Sequence, residues 1–129
     1  MALQGHVIPI SAEECQQLLG ERQVARVAWA SAEGMLILPV NFVFETGLIL
    51  MLVSRDSVFR ELADGRDVAV EVEDVDEQTA TGWSVLIQGR AAAHHGDAAV
   101  LPQPWAPGDR DFLIAVTPTR WSGRSIAAD

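Results

Sequence analysis

Hydrophobic positions along the chain follow two periods. In residues 11–20 the apolar side chains Cys15, Leu18 and Leu19 recur at i, i+3 and i+4, the stripe of a helix with one buried face. Ser11 with Glu14 three residues on has the spacing of a capping box, and Gly20 stands where a C-terminal cap would. From residue 24 the period is two. Val24, Arg26 and Ala28 alternate with Ala25, Val27 and Trp29, which predicts a strand with one wet face. Residues 68–73 repeat the pattern, with Val68, Val70 and Val72 inward and Glu71 and Glu73 outward.

The runs at 35–44 and 48–53 break the alternation, being apolar at nearly every position. Their connections, SAEG at 31–34 and ETG at 45–47, are too short for a parallel crossover, so the runs form antiparallel hairpins. An antiparallel sheet ordinarily keeps one face in water. Here both faces need cover, more than the few short helices of the chain supply. A second copy of the chain is the expected cover, and the pattern predicts an intimate homodimer.

Residues 54–57 (SRDS) lead into a short helix over 58–63, closed by Asp64 and Gly65, with Gly65 suited to a left-handed position. Further strands are expected over 83–93, 112–116 and 121–126, the last two separated by Pro118. Residues 94–101 admit a helix, and PQPWAPG at 102–108 requires an irregular, fairly rigid loop. Six or seven antiparallel strands with two or three short helices predict a mainly β fold. Its expected form is a small barrel with helices at its ends, in a single domain over residues 1–129.

Composition narrows the function classes. Of 129 residues, 49% are hydrophobic, enough for a core, and the formal net charge of −9 argues against nucleic acid or anionic membrane as a partner. The one cysteine, Cys15, lies on the helical stripe and reads as a small buried hydrophobe rather than a reactive thiol. Without a signal-peptide pattern at its start, and with its longest apolar run about half a membrane span, the chain is expected to be soluble and cytoplasmic. All nine basic residues are arginine and there is no tyrosine, which removes Schiff-base lysine chemistry and phenolic proton transfer.

Few residues are then left to carry chemistry. His94 and His95 are adjacent, and on a strand they would point to opposite faces, while His6 lies in an N-terminus expected to be mobile; no metal site is expected. The acidic run at 71–77 lacks the glycine and terminal glutamate of a calcium loop and reads as a solvated sheet edge. No G-x-S-x-G occurs, and no serine has a histidine placed to serve it. What remains is an anion site at Ser54, Arg55, Asp56 and Ser57, where a helix begins and Arg55 and Arg60 offer charge. A plain N-cap explains the same serines, and Asp56 opposes an anion.

The segments SAEECQQLL, VARVAWAS, LPVNFVFETG, FRELADGRDVAVEVEDVD, TGWSVLIQGRA, PWAPGDRDFLIAVTPT and GRSI, in this order, cover nearly the whole chain. In them the chain resembles the actinobacterial branch of the pyridoxamine 5′-phosphate oxidase-like family, the flavin-binding split-barrel proteins. The resemblance implies a homodimeric six-stranded antiparallel split barrel. It also implies FMN, or in some branches a deazaflavin or haem, in a groove between subunits, and hydride transfer by a flavin-dependent oxidoreductase acting on a small molecule. By this resemblance Pro39, Val40, Asn41 and Phe42 match the strand beside the isoalloxazine ring. Ser54, Arg55, Ser57 and Val58 match the phosphate loop, Trp83 and Ser84 a stretch near the ring, and Trp121 and Arg124 a pair reaching the partner's flavin. Leu52, Val53 and Val58 depart from the family's usual arginine or lysine, threonine and lysine. Losing charge-assisted bonds of roughly 1.5–3 kcal/mol each weakens a phosphate site by several factors of ten unless Arg55 and Arg60 compensate. A non-catalytic ligand-binding or sensor protein with a degenerate phosphate site is the alternative. Oxidation of pyridoxamine phosphate itself is disfavoured, since it needs basic residues for a second phosphate.

Overall fold

The computed structural model describes residues 6–98 and 100–127. Its order is β1 (His6–Ile10), α1 (Ala12–Leu19), β2 (Val24–Ser31), β3 (Gly34–Glu45), β4 (Leu48–Val53), the 3-10 helix η1 (Val58–Asp64), β5 (Arg66–Asp76), β6 (Thr81–Ala93) and β7 (Phe112–Ala127). Local chemistry sets the corners. The β3–β4 hairpin turns on Thr46 and Gly47, both at positive φ (48° and 80°), as a two-residue turn matched to strand twist requires. The α1 N-cap Ser11 accepts the N–H of Glu14 at 3.2 Å, and Gly65 ends η1 in the left-handed region (φ 81°).

Every strand pair is antiparallel, in the order β1-β7-β4-β3-β2-β5-β6, and pairing of β6 with β7 closes β7-β4-β3-β2-β5-β6 into a six-stranded ring. β1 is added outside that ring, along Gly123 to Ala127 of β7. The fold class expected from the sequence is therefore the observed one. The barrel is filled by the inward residues of each strand, among them Val27, Trp29, Phe42, Ile49, Met51, Val70, Ile87, Ile114 and Val116. Cys15 and Leu19 of α1 join this core, as the helical stripe predicts.

Three expectations are corrected. His6 belongs to β1 and pairs with Ala127, so this stretch is a strand rather than a mobile end. Pro118 does not divide two strands: β7 runs unbroken from Phe112 to Ala127. It tolerates a proline there because the β4 ladder stops at Val116, β1 begins at Gly123, and β6 shifts register at Gln88/Gly89. Residues 94–101 form no helix where they are described.

Cover for the apolar strands comes partly from the chain itself. Leu50 points away from the barrel core yet is only 2% exposed, and Ala115, its partner on β7, is buried as well. The first half of β3 is left open, with Met35 and Ile37 on its outer face 73% and 67% exposed. Among the described residues no helix is long and apolar enough to cross a membrane.

Candidate functional site

Strand parity sorts the residues the sequence singles out. On β3, Val40 and Phe42 point into the core, so a ligand outside the barrel meets the side chains of Pro39 and Asn41 only. Asn41 is already engaged. Its Oδ1 accepts the N–H of Trp105 at 2.9 Å and its Nδ2 donates to the Gln23 carbonyl at 3.3 Å. Through that bond the irregular segment 102–110 lies as a strap against the outer wall of β3 and β4. There Pro104, Ala106 and Arg110 share a cavity of about 90 Å³ with Pro39, Asn41, Leu52 and Phe59. Trp105 itself stands 69% exposed on the strap.

The stretch 54–57 is self-satisfied. The Ser57 hydroxyl donates to the Ser54 carbonyl at 2.7 Å, the Ser57 N–H does the same at 3.2 Å, and Ser54 Oγ accepts the Asp56 N–H at 3.3 Å. Val58 begins η1, a 3-10 helix of seven residues whose Ser57 cap makes no side-chain capping bond. Arg55 turns to the far end of the strap: its Nε is 3.6 Å from Asp111 Oδ2, and its guanidinium sits 4.7 Å above the Phe112 ring. The Asp56 and Ser57 N–H groups are thus bonded within the loop and Arg55 is paired with Asp111, while Arg60 stays on the exposed side of η1.

A second wall is formed by β5, β6 and β7. Ser84 pairs with both Glu73 and Arg124, which lines the three up in one row on the outer face. They border a cleft of about 480 Å³ with Trp83, Gly82, Val75 and Ile126, rimmed by Asp76 and Glu77. The cleft has an apolar side, one guanidinium and three carboxylates. The Arg124 side chain makes no ion pair or hydrogen bond with the described residues. Trp121, three residues from Arg124 and so on the opposite face of β7, packs against the core edge-on to Phe44, with ring centroids 5.6 Å apart. The expected tryptophan–arginine pair is therefore split between the inside and the outside of the barrel.

One titratable group escapes the sequence reading. Glu71 and Glu73 lie on the outer face of β5, and Arg26 Nη1 bridges them at 3.8 and 3.1 Å. Burial foremost, then the adjacent Glu73 carboxyl, pushes the Glu71 carboxyl up to about 7, against the pull of Arg26. The signal was present as two acids at i, i+2 on a strand, which share a face and so oppose each other. Among the described residues no three His, Cys, Asp or Glu side chains gather closely enough to hold a metal ion.

The two walls occupy opposite sides of the ring. In the closed order β3 and β6 are three strands apart by either route, so Pro39 and Asn41 of one chain cannot meet Ser84 and Arg124 of the same chain. The ring portion of a flavin fits what these walls offer: apolar surface from Pro39, Leu52 and Trp83, with Ser84 as a hydrogen-bonding group. The phosphate portion does not fit the self-satisfied loop at 54–57.

Residues 11–125 match the profile of the family described as pyridoxamine 5′-phosphate oxidase. An uncharacterized protein of Mycobacterium tuberculosis is 32% identical over 133 residues, spanning 95% of this chain and 88% of that protein. Among solved structures, the FAD binding protein from Mycobacterium smegmatis superposes with a TM-score of 0.75 at 26% identity, covering 93% of this chain and 98% of its own. A FAD-binding protein from Mesorhizobium loti shares the fold at 17% identity, with a TM-score of 0.72 and coverage of 96% and 99%.

Proposed function

Because the chain belongs to the pyridoxamine 5′-phosphate oxidase family, we propose that it is a flavin-dependent oxidoreductase whose cofactor groove forms between two copies of the chain. The observation that carries this reading is the opposition of the two walls. Pro39 and Asn41 on β3 and Ser84 and Arg124 on β6 and β7 face away from each other in one chain, and a groove using both needs a second barrel. The uncovered Met35 and Ile37, on the same face of β3 as Pro39, supply apolar surface for that association. The M. smegmatis relative, described as FAD binding and 26% identical, supports a flavin as the ligand class; FMN is the flavin that the sequence resemblance implies.

In this reading Pro39 and Leu52 bound one side of the ring, Ser84 hydrogen-bonds its polar edge, and Arg124 places positive charge beside it. A bound flavin supplies hydride chemistry, and the protein supplies orientation and exclusion of water. The test combines sedimentation velocity with flavin titration followed by tryptophan emission and a visible spectrum of the purified protein. A dimer that binds flavin at micromolar concentration is the expected result. A folded single copy at high dilution, or no quenching at micromolar flavin, overturns the proposal.

A second reading is favoured by one specific feature. Leu52, Val53 and Val58 are apolar, and Ser54 and Ser57 satisfy each other, which suits a ligand-binding protein that has given up the phosphate contact. A dimer that binds a ligand in the groove but shows no flavin binding selects this alternative.

A further inference from the structure

The strap and the loop at 54–57 are joined by the one cation in that loop. Arg55 is held on Asp111 at 3.6 Å and stacked 4.7 Å over Phe112, directly after the strap that Asn41 latches through Trp105. We propose that Asp111 is a specificity-determining residue of the flavin groove: by keeping Arg55 it makes the site discriminate against a flavin that ends in a free phosphomonoester. The inference rests on the flavin reading above.

A phosphomonoester brings close to about two negative charges at neutral pH and needs donors that are not already occupied. Here the Asp56 and Ser57 N–H groups and the Ser57 hydroxyl are bonded within the loop, to Ser54. The Asp111 carboxylate stands 3.6 Å from Arg55 Nε, and Asp56 adds a second acidic residue to the same loop, so an arriving phosphate meets a like charge already paired with the cation it needs. Leu52 and Val58, both partly exposed, add apolar surface that cannot replace water around it, while Val53 is buried in the core. Arg60, on the exposed side of η1, is the other cation within a turn of the loop. A flavin without a terminal phosphate keeps the ring contacts and avoids the mismatch.

The test titrates riboflavin and FMN, which share the ring and differ by the phosphate, into the full chain and its Asp111→Asn variant. Asp111 is largely exposed, so the substitution neutralises a charge without opening the core. The wild type is expected to bind FMN no more tightly than riboflavin. Asp111→Asn is expected to tighten FMN by roughly two- to fivefold and leave riboflavin unchanged, the scale of one exposed ion pair. Adding Arg55→Ala to that variant should abolish the gain. A wild type that binds FMN clearly tighter than riboflavin overturns the proposal, since Arg60 or the backbone then holds the phosphate. An unchanged FMN-to-riboflavin ratio in Asp111→Asn overturns it too, while leaving the flavin reading in place. Failure of both flavins to bind either protein overturns that reading and this inference together.

Discussion

Glu61 ties η1 to the barrel, and its removal tests how that tie works. Trp29 is 1% exposed, and its indole Nε1–H donates to Glu61 Oε1 at 2.9 Å. The same carboxylate lies 3.7 Å from Arg66 Nη1, while Phe59 of η1 packs against the Trp29 ring with centroids 5.7 Å apart. Glu61→Ala strands a buried donor, which costs about 1–3 kcal/mol. It also removes a partly exposed ion pair worth less than about 1 kcal/mol. The sum is a destabilisation of about 1–4 kcal/mol, most of it carried by the indole. A double-mutant cycle isolates that share. In a Trp29→Phe background the donor is absent, and Glu61→Ala should cost less than about 1 kcal/mol. Urea unfolding at one fixed protein concentration is the assay, because association adds to apparent stability. Equal costs of Glu61→Ala in the two backgrounds would refute the reasoning.

Two further outcomes follow from other parts of the barrel. Glu71 titrates near 7 in the folded protein against an ordinary value of 4.5, so between these pH values the folded state keeps a proton that the unfolded chain has released. Stability is then full below this window, falls as pH rises through 7 and levels off above. Glu71→Gln should flatten that slope and stabilise the protein at pH 8 by about 1 kcal/mol after solvent screening, and thermal melts across pH that keep the slope would contradict the assignment. At Gly89 a Cβ would stand 2.6 Å from the Thr117 carbonyl and 2.9 Å from Val116 Cγ1, at the register shift between β6 and β7. Gly89→Ala should cost about 1–3 kcal/mol, and a melting temperature equal to wild type would show that the bulge adapts freely.

Patterns written in neighbouring residues were legible in the sequence. The cap at Ser11, the turn at Thr46–Gly47, the inward valines of β5 and the left-handed Gly65 all depend on a few consecutive side chains. β1 was not legible, because His6–Ile10 is exposed almost throughout, carries no period, and is defined only by its pairing with the far end of the chain. Pro118 misled for a related reason: a proline marks a break unless the strand lacks a neighbour at that point, which is a property of the sheet. In the candidate site, strand parity would have separated Val40 and Phe42 from Pro39 and Asn41, and Trp121 from Arg124. The strap over β3 and the grip of Asp111 on Arg55 join distant segments, and no spacing announces them.

The length of β7 has a consequence for how the molecule comes into being. Among the described strands this one alone pairs with three others: β6 over most of its run, β4 over its first residues and β1 over its last. Until Phe112–Ala127 has been synthesised, β4 and β6 carry raw hydrogen-bonding margins and β1 has nothing to lie against, a state that invites pairing with other nascent chains. The barrel is zipped shut by this strand, and the hydrogen-bonding margins of β4 and β6 stay raw until that last stitch.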